Sequence, residues 1–163
     1  MARVAIVMGS DHDLPVVEKA ISCLKDLKVE YEVRVISAHR SPEACAFFSR
    51  SAEENGFGVI IAAAGKAAHL AGAIAANTVL PVIGIPVKSS TLDGLDALLS
   101  TVQMPSGMPV ATVAIDGAEN AAILAAQILA NGDPELRARL KEKRRKALQA
   151  IEEADKRVNE QFK

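Results

Sequence analysis

Three short apolar runs constrain this chain more than anything else in it: Arg3-Val-Ala-Ile-Val-Met8, a second over residues 57–63, and Pro81-Val-Ile-Gly-Ile-Pro86. Each is nearly continuous rather than alternating, as expected of strands covered on both faces, and such strands belong to parallel sheets. Two further strands are read over residues 31–36 and 110–115. Helical patterns follow them over residues 14–27, 42–55, 70–77, 92–102 and 120–130, and a last helix runs from Pro134 to about residue 160. Strict alternation predicts a three-layer, doubly wound parallel α/β sheet. Right-handed crossovers leave few topologies, of which the flavodoxin-like order is the one expected.

Local punctuation supports these boundaries. Pro42 suits the first turn of a helix, and Gly56 and Asn131-Gly132 suit helix ends. Asp133-Pro134-Glu135 opens the last helix in the usual N-terminal style. On that helix Leu140, Ala147, Ile151, Ala154 and Val158 share one stripe. A stripe of this length at the end of a small domain predicts packing on another subunit, with folding back on its own sheet as the alternative. Residues 1–133 are therefore expected to form the catalytic domain and residues 134–163 an oligomer-forming helix.

At 163 residues the chain is about one domain long. Its 50% hydrophobic and 24% charged composition is that of a soluble globular protein. Cys23 and Cys45 fall on separate helices without paired Cys/His spacing, which argues for reduced thiols and against a zinc site. Gly, Pro, Lys66 and His69 break the longest apolar stretches, so no membrane span and a cytoplasmic location are expected. Residues 134–163 hold 10 of the 19 Lys and Arg but 6 of the 20 Asp and Glu. With no tryptophan and with acidic residues interleaved, this basic stretch reads as a solvated helix face rather than a nucleic-acid surface.

The chemistry-bearing residues fall where strands end. In an open parallel sheet, ligands bind in the crevice outside the carboxyl ends of the strands. His39 and Arg40 follow the second strand, offering a proton carrier near neutrality and a fork of donors for phosphate or carboxylate. Ser10 and Asp13 follow the first strand at a helix start suited to phosphate, although Asp13 could equally serve as the helix cap. The third strand runs into a loop of small residues, 62–72, whose only ionisable side chains are Lys66 and His69. Ser10, Asp13, Ser37, His39, Arg40 and His69 are thus expected to line one crevice. Residue chemistry alone reaches a phosphorylated small molecule, acid–base catalysis and no metal.

Six motifs go further. Met8-Gly-Ser10 with Asp13, Ser37-Ala-His-Arg-Ser-Pro42, Ala67-Ala-His-Leu70, Leu80-Pro-Val-Ile-Gly, Gln103-Met-Pro-Ser-Gly and Pro109-Val-Ala-Thr-Val-Ala-Ile115 occur in order. Together they closely resemble the N5-carboxyaminoimidazole ribonucleotide mutase family of purine biosynthesis, over residues 3 to about 131. The resemblance implies a flavodoxin-like subunit of a homo-octamer, without cofactor, acting on a small ribonucleotide. It implies that His39 transfers protons, that Arg40, Ser10 and Ser37 contact phosphate and ribose, and that Ala38 also binds the substrate. Asp13 would bind the substrate, and Gly65, Ala67, His69 and Leu70 would hold base and carboxylate, with His69 joining His39 in catalysis. Small apolar walls would keep CO2 from water between two half-reactions.

Three positions depart from the family pattern. His12 stands where a second serine is usual near the phosphate, and an imidazole N–H could replace that contact. Lys66 replaces a common glycine, and Ala71 a common proline. Lys66 is expected to face solvent, with a carboxylate contact as the alternative. A carboxylase of the same superfamily, using free CO2, is the rival function; the Ala67-Ala-His-Leu70 loop favours the mutase. A non-catalytic receiver or nucleotide-binding module is disfavoured because the third strand ends in alanines and glycine, without a phosphoacceptor aspartate.

Overall fold

The computed structural model describes residues 2–163. Among these, β1 (Arg3–Met8), β2 (Tyr31–Val35), β3 (Phe57–Gly65), β4 (Val82–Val87) and β5 (Ala111–Thr112) form one sheet in the order β2-β1-β3-β4-β5. Every pair is parallel, which is the flavodoxin-like topology expected. The helices are α1 (Leu14–Asp26), α2 (Pro42–Ser51), α3 (Leu70–Ala75), α4 (Leu95–Val102), α5 (Ala118–Leu129) and α6 (Pro134–Gln161).

The unbroken apolar runs are explained by burial on both sides of the sheet. Val4, Ile6 and Met8 point into a core with α1 and α5, and Ala5 and Val7 into a second core with α2 and α3. β3 repeats the pattern, with Val59, Ile61 and Ala63 on the first side and Ile60 and Ala62 on the second. Side chains alternate along a strand, so two buried faces leave no position for a polar residue. Ile6, Ile60, Ile61 and Ile83 are fully buried, and each such side chain contributes about 1.5–3 kcal/mol.

Several boundaries differ from the sequence expectations. β3 continues to Gly65 because β4 continues beside it, pairing Ala64 with Pro86 and Gly65 with Val87. Residues 62–65 are therefore strand, and the loop shrinks to residues 66–69. β5 keeps only two ladder residues; beyond them single bonds from Val113 N to Gly84 O and from Asp116 N to Pro86 O hold the edge. The helix expected over residues 92–102 is broken at Asp93 (φ 54°) and Gly94 (φ 92°), and only α4 is regular. α2 ends at Ser51 and a turn carries the chain to Gly56 (φ 80°), while α3 stops at Ala75. Asp13 does not cap α1, since its own φ and ψ are helical and its side chain makes no cap bond. Ser10 caps the preceding 3-10 turn instead, its Oγ accepting from the His12 N–H.

α6 divides into two parts. Its start is integrated into the first core: Asp133 accepts from Leu136 N at 3.0 Å, Leu136 is buried, and Arg139 Nε donates to Leu27 O at 2.7 Å. Lys143 pairs with Glu119 of α5 at 2.9 Å. Beyond it most of the stripe is exposed, with Ile151 and Val158 open to solvent and Ala154 half-buried. No helix among the described residues is long and apolar enough to cross a membrane.

Candidate active site

The carboxyl ends of β1, β2, β3 and β4 line an open crevice of about 710 Å³. From β1 come Gly9, Ser10, His12 and Asp13; from β2 come Ser37, Ala38, His39 and Arg40. β3 contributes Ala64, Gly65, Lys66 and Ala67, with His69 and Leu70 following. All the residues singled out for this crevice in the sequence line it. Val87, Lys88 and Ser89 at the end of β4 line it too. Val87-Lys-Ser-Ser-Thr91 carries hydroxyls without a recognisable spacing, so the only sequence signal for these residues is their place at a strand end.

The turn after β2 is built by hydroxyl hydrogen bonds. Ser37 Oγ accepts from Arg40 N at 3.1 Å and from Arg40 Nε at 3.3 Å. Ser41 Oγ accepts from Ser37 N and donates to Ser37 O, closing the turn across its ends. Arg40 Nη2 also donates to Gly9 O at 2.9 Å, tying the β1 and β2 ends together. The guanidinium is thus oriented while remaining exposed, ready for an anion that can use its other donors. His39, between these bonded residues, is exposed to the cavity.

The loop after β3 is positioned by close packing. Ala68 and Leu70 are buried on either side of exposed His69. The imidazole lies over Gly72 of α3, where a Cβ would overlap its Cε1 and stand 2.8 Å from Nδ1. Thr101 of α4, itself buried, donates toward Ala68 O at 3.2 Å and Ala97 O at 2.7 Å. Gly72 and Thr101 are positioning residues that local sequence patterns did not reveal, because their partners lie on other elements or one helical turn away.

Electrostatically the crevice favours anions, with Arg40, Lys66 and Lys88 against Asp13. Burial pushes the Asp13 carboxyl above its usual range, opposed by a backbone hydrogen bond at Ser10 and by nearby His12. Ser10 Oγ meanwhile lies 3.0 Å from His12 Nδ1 and 3.2 Å from Asp11 Oδ1. Among the described residues, no group of three or more His, Cys, Asp or Glu side chains is placed to hold a metal. Cys23 and Cys45 are free and buried, away from this crevice, and burial pushes both thiols up.

A parallel sheet that gathers the imidazoles of His12, His39 and His69 and an oriented arginine at its carboxyl edge defines a flavodoxin-like fold with a crevice suited to an anionic small molecule. The AIR carboxylase family profile matches residues 3–150, and the chain belongs to that family. It is 58% identical to the N5-carboxyaminoimidazole ribonucleotide mutase of Pyrococcus abyssi, covering 88% of this chain and 83% of that protein. The mutase of Escherichia coli K12 is 56% identical, covering 88% of this chain and 86% of its own. Among solved structures, Treponema denticola PurE superposes with a TM-score of 0.89 at 31% identity, covering 97% of this chain and 99% of that one.

Proposed function

We infer that this protein is an isomerase that converts N5-carboxyaminoimidazole ribonucleotide into 4-carboxy-5-aminoimidazole ribonucleotide, a step of purine biosynthesis. The observation that carries this reading is the meeting of His39, Arg40 and His69 in one crevice, in a chain 58% identical to a mutase over most of its length. In the first half-reaction the N–carboxylate bond breaks, CO2 leaves, and the nitrogen takes a proton from the His39 imidazolium. In the second, C4 attacks the trapped CO2 and the C4 proton passes to the His39 imidazole. The proton count closes, so one imidazole can serve both steps.

Arg40, with Ser37 and Ser10, would hold the phosphate and ribose, and Asp13 a ribose hydroxyl. A hydroxyl donating to the half-buried Asp13 would relieve its desolvation, which favours such a contact. Gly65, Ala67, His69 and Leu70 would wall the base and the CO2. His39 and His69 are exposed in the single chain, whereas retention of CO2 needs a closed site. A homo-oligomer, an octamer in our reading, would supply that closure, with the exposed end of α6 packing on a neighbouring copy. A cytoplasmic location fits a step of nucleotide synthesis.

Chelator-treated protein offered the N-carboxylated ribonucleotide at low bicarbonate should form the C4-carboxylated product rapidly. Turnover only of the unmodified ribonucleotide plus bicarbonate would make it the carboxylase instead. Solution mass tests the assembly, and a monomer at working concentration contradicts it.

A further inference from the structure

Two lysines stand side by side at the rim of the crevice. Gly65 and Val87 are partners on the last rung of the β3–β4 ladder. Lys66 and Lys88 are therefore the first residues beyond it on strands about 4.8 Å apart, and both line the cavity. Like charges on neighbouring strands destabilise each other unless an opposite charge intervenes. The fold provides that charge for one of them. Lys88 Nζ is 3.0 Å from Asp93 Oδ1, and the Lys88 N–H donates to Asp116 Oδ1 at 2.9 Å. Among the described residues no carboxylate is within ion-pair distance of the Lys66 ammonium.

Lys66 is also held at φ 58°, a left-handed conformation in which glycine is unstrained and a lysine is not. Its side chain is exposed, so core packing does not account for it. The Arg40 guanidinium, bonded to Gly9 O just beyond β1, stands about one strand spacing from the end of β3, roughly 5 Å. Of the cations Arg40, Lys66 and Lys88 that line the cavity, Arg40 would hold the phosphate and Lys88 is paired with Asp93, which leaves Lys66 for the other anionic end of the ligand.

We propose that Lys66 is the counter-ion for the carboxylate that the substrate carries on its base. The assignment rests on the function inferred above and makes Lys66 a specificity-determining residue, separating carboxylated from carboxylate-free ribonucleotides. Substrate and product both carry this charge, whereas the CO2 released between them is neutral. The contact is therefore made in ground states and weakens as CO2 forms, so its loss raises KM and does not lower kcat.

The test compares K66G, K66Q and K66R with the parent enzyme, measuring KM for the N-carboxylated ribonucleotide and the inhibition constant of the carboxylate-free one. K66G and K66Q should raise KM about tenfold, the scale of one charge-assisted hydrogen bond, and leave the inhibition constant unchanged. K66R should keep the parent KM. K66G should melt no lower than the parent, because glycine relieves the backbone strain, so its weaker binding cannot be ascribed to unfolding. An unchanged KM in K66G and K66Q, or an equal rise in KM and the inhibition constant, overturns the assignment. An indifferent Lys66 in an active parent overturns this inference alone; a parent inactive on the N-carboxylated ribonucleotide overturns the inferred function and this assignment with it.

Discussion

The β2 and β3 ends deliver the same kind of side chain to the same crevice by different physics. His39 sits in a turn held by hydroxyls, where Ser37 and Ser41 supply the bonds that fold residues 37–41 back on themselves. His69 sits in a loop held by shape, with Ala68 and Leu70 buried beside it and Gly72 against its ring. A hydroxyl turn loses its geometry when an acceptor is removed. A packed loop loses it when an atom is added.

The largest effect is expected from His39→Asn, which keeps much of the side-chain volume and removes the proton carrier. Turnover should fall by about 10²–10⁴-fold while ligand binding persists in calorimetry. Near-parental kcat in that variant would remove His39 from its role. Gly72→Ala tests the packed side of the contrast. Its Cβ would overlap the His69 ring and stand 2.9 Å from Met104 Sδ, so the imidazole must move. We expect about 10²-fold lower kcat/KM with an unchanged circular dichroism spectrum, the scale of misplacing a reacting group. Full activity would show that His69 needs no fixed position.

Ser37→Ala tests the hydrogen-bonded side and should be milder. Both Arg40 donors lose their 3.1 and 3.3 Å acceptor, costing about 1 kcal/mol and raising KM several-fold. A melting temperature and KM equal to the parent's would show that the turn does not depend on its hydroxyl.

Asp13→Asn should change stability least and in the opposite direction. Burial raises the folded-state pKa of Asp13, so the ionised carboxylate penalises the fold at neutral pH. That penalty is fully present above the folded pKa and disappears as pH falls through it towards the unfolded value. The asparagine variant should therefore melt higher than the parent at pH 7, converge with it in acid, and bind substrate more weakly. A lower melting temperature at pH 7 would contradict the desolvation argument.

The same contrast separates what could be read locally from what could not. His39 and Arg40 were legible because an apolar strand ends just before them and Pro42 starts the next helix, placing both at a strand's carboxyl end. Ser37 was legible as a motif position, but its bonds to Arg40 were not. Gly72 looked like one small residue among many until His69 was found lying over it. The end of β3 is not legible in the sequence because Ala62, Ala63, Ala64 and Gly65 carry no polarity pattern, and the ladder to β4 decides where the strand stops.

From sequence alone came the alternation of buried strands and helices, the parallel sheet with its binding edge, and the motif residues along that edge. These depend on periodicity, turn chemistry and residue type, which are properties of neighbours along the chain. Tertiary structure alone decided that Lys66 and Lys88 stand together with Asp93 on only one of them, that Thr101 holds the His69 loop, and that burial perturbs Asp13. Charge balance, desolvation and close contact depend on which atoms meet across the fold, and separate elements supply those atoms.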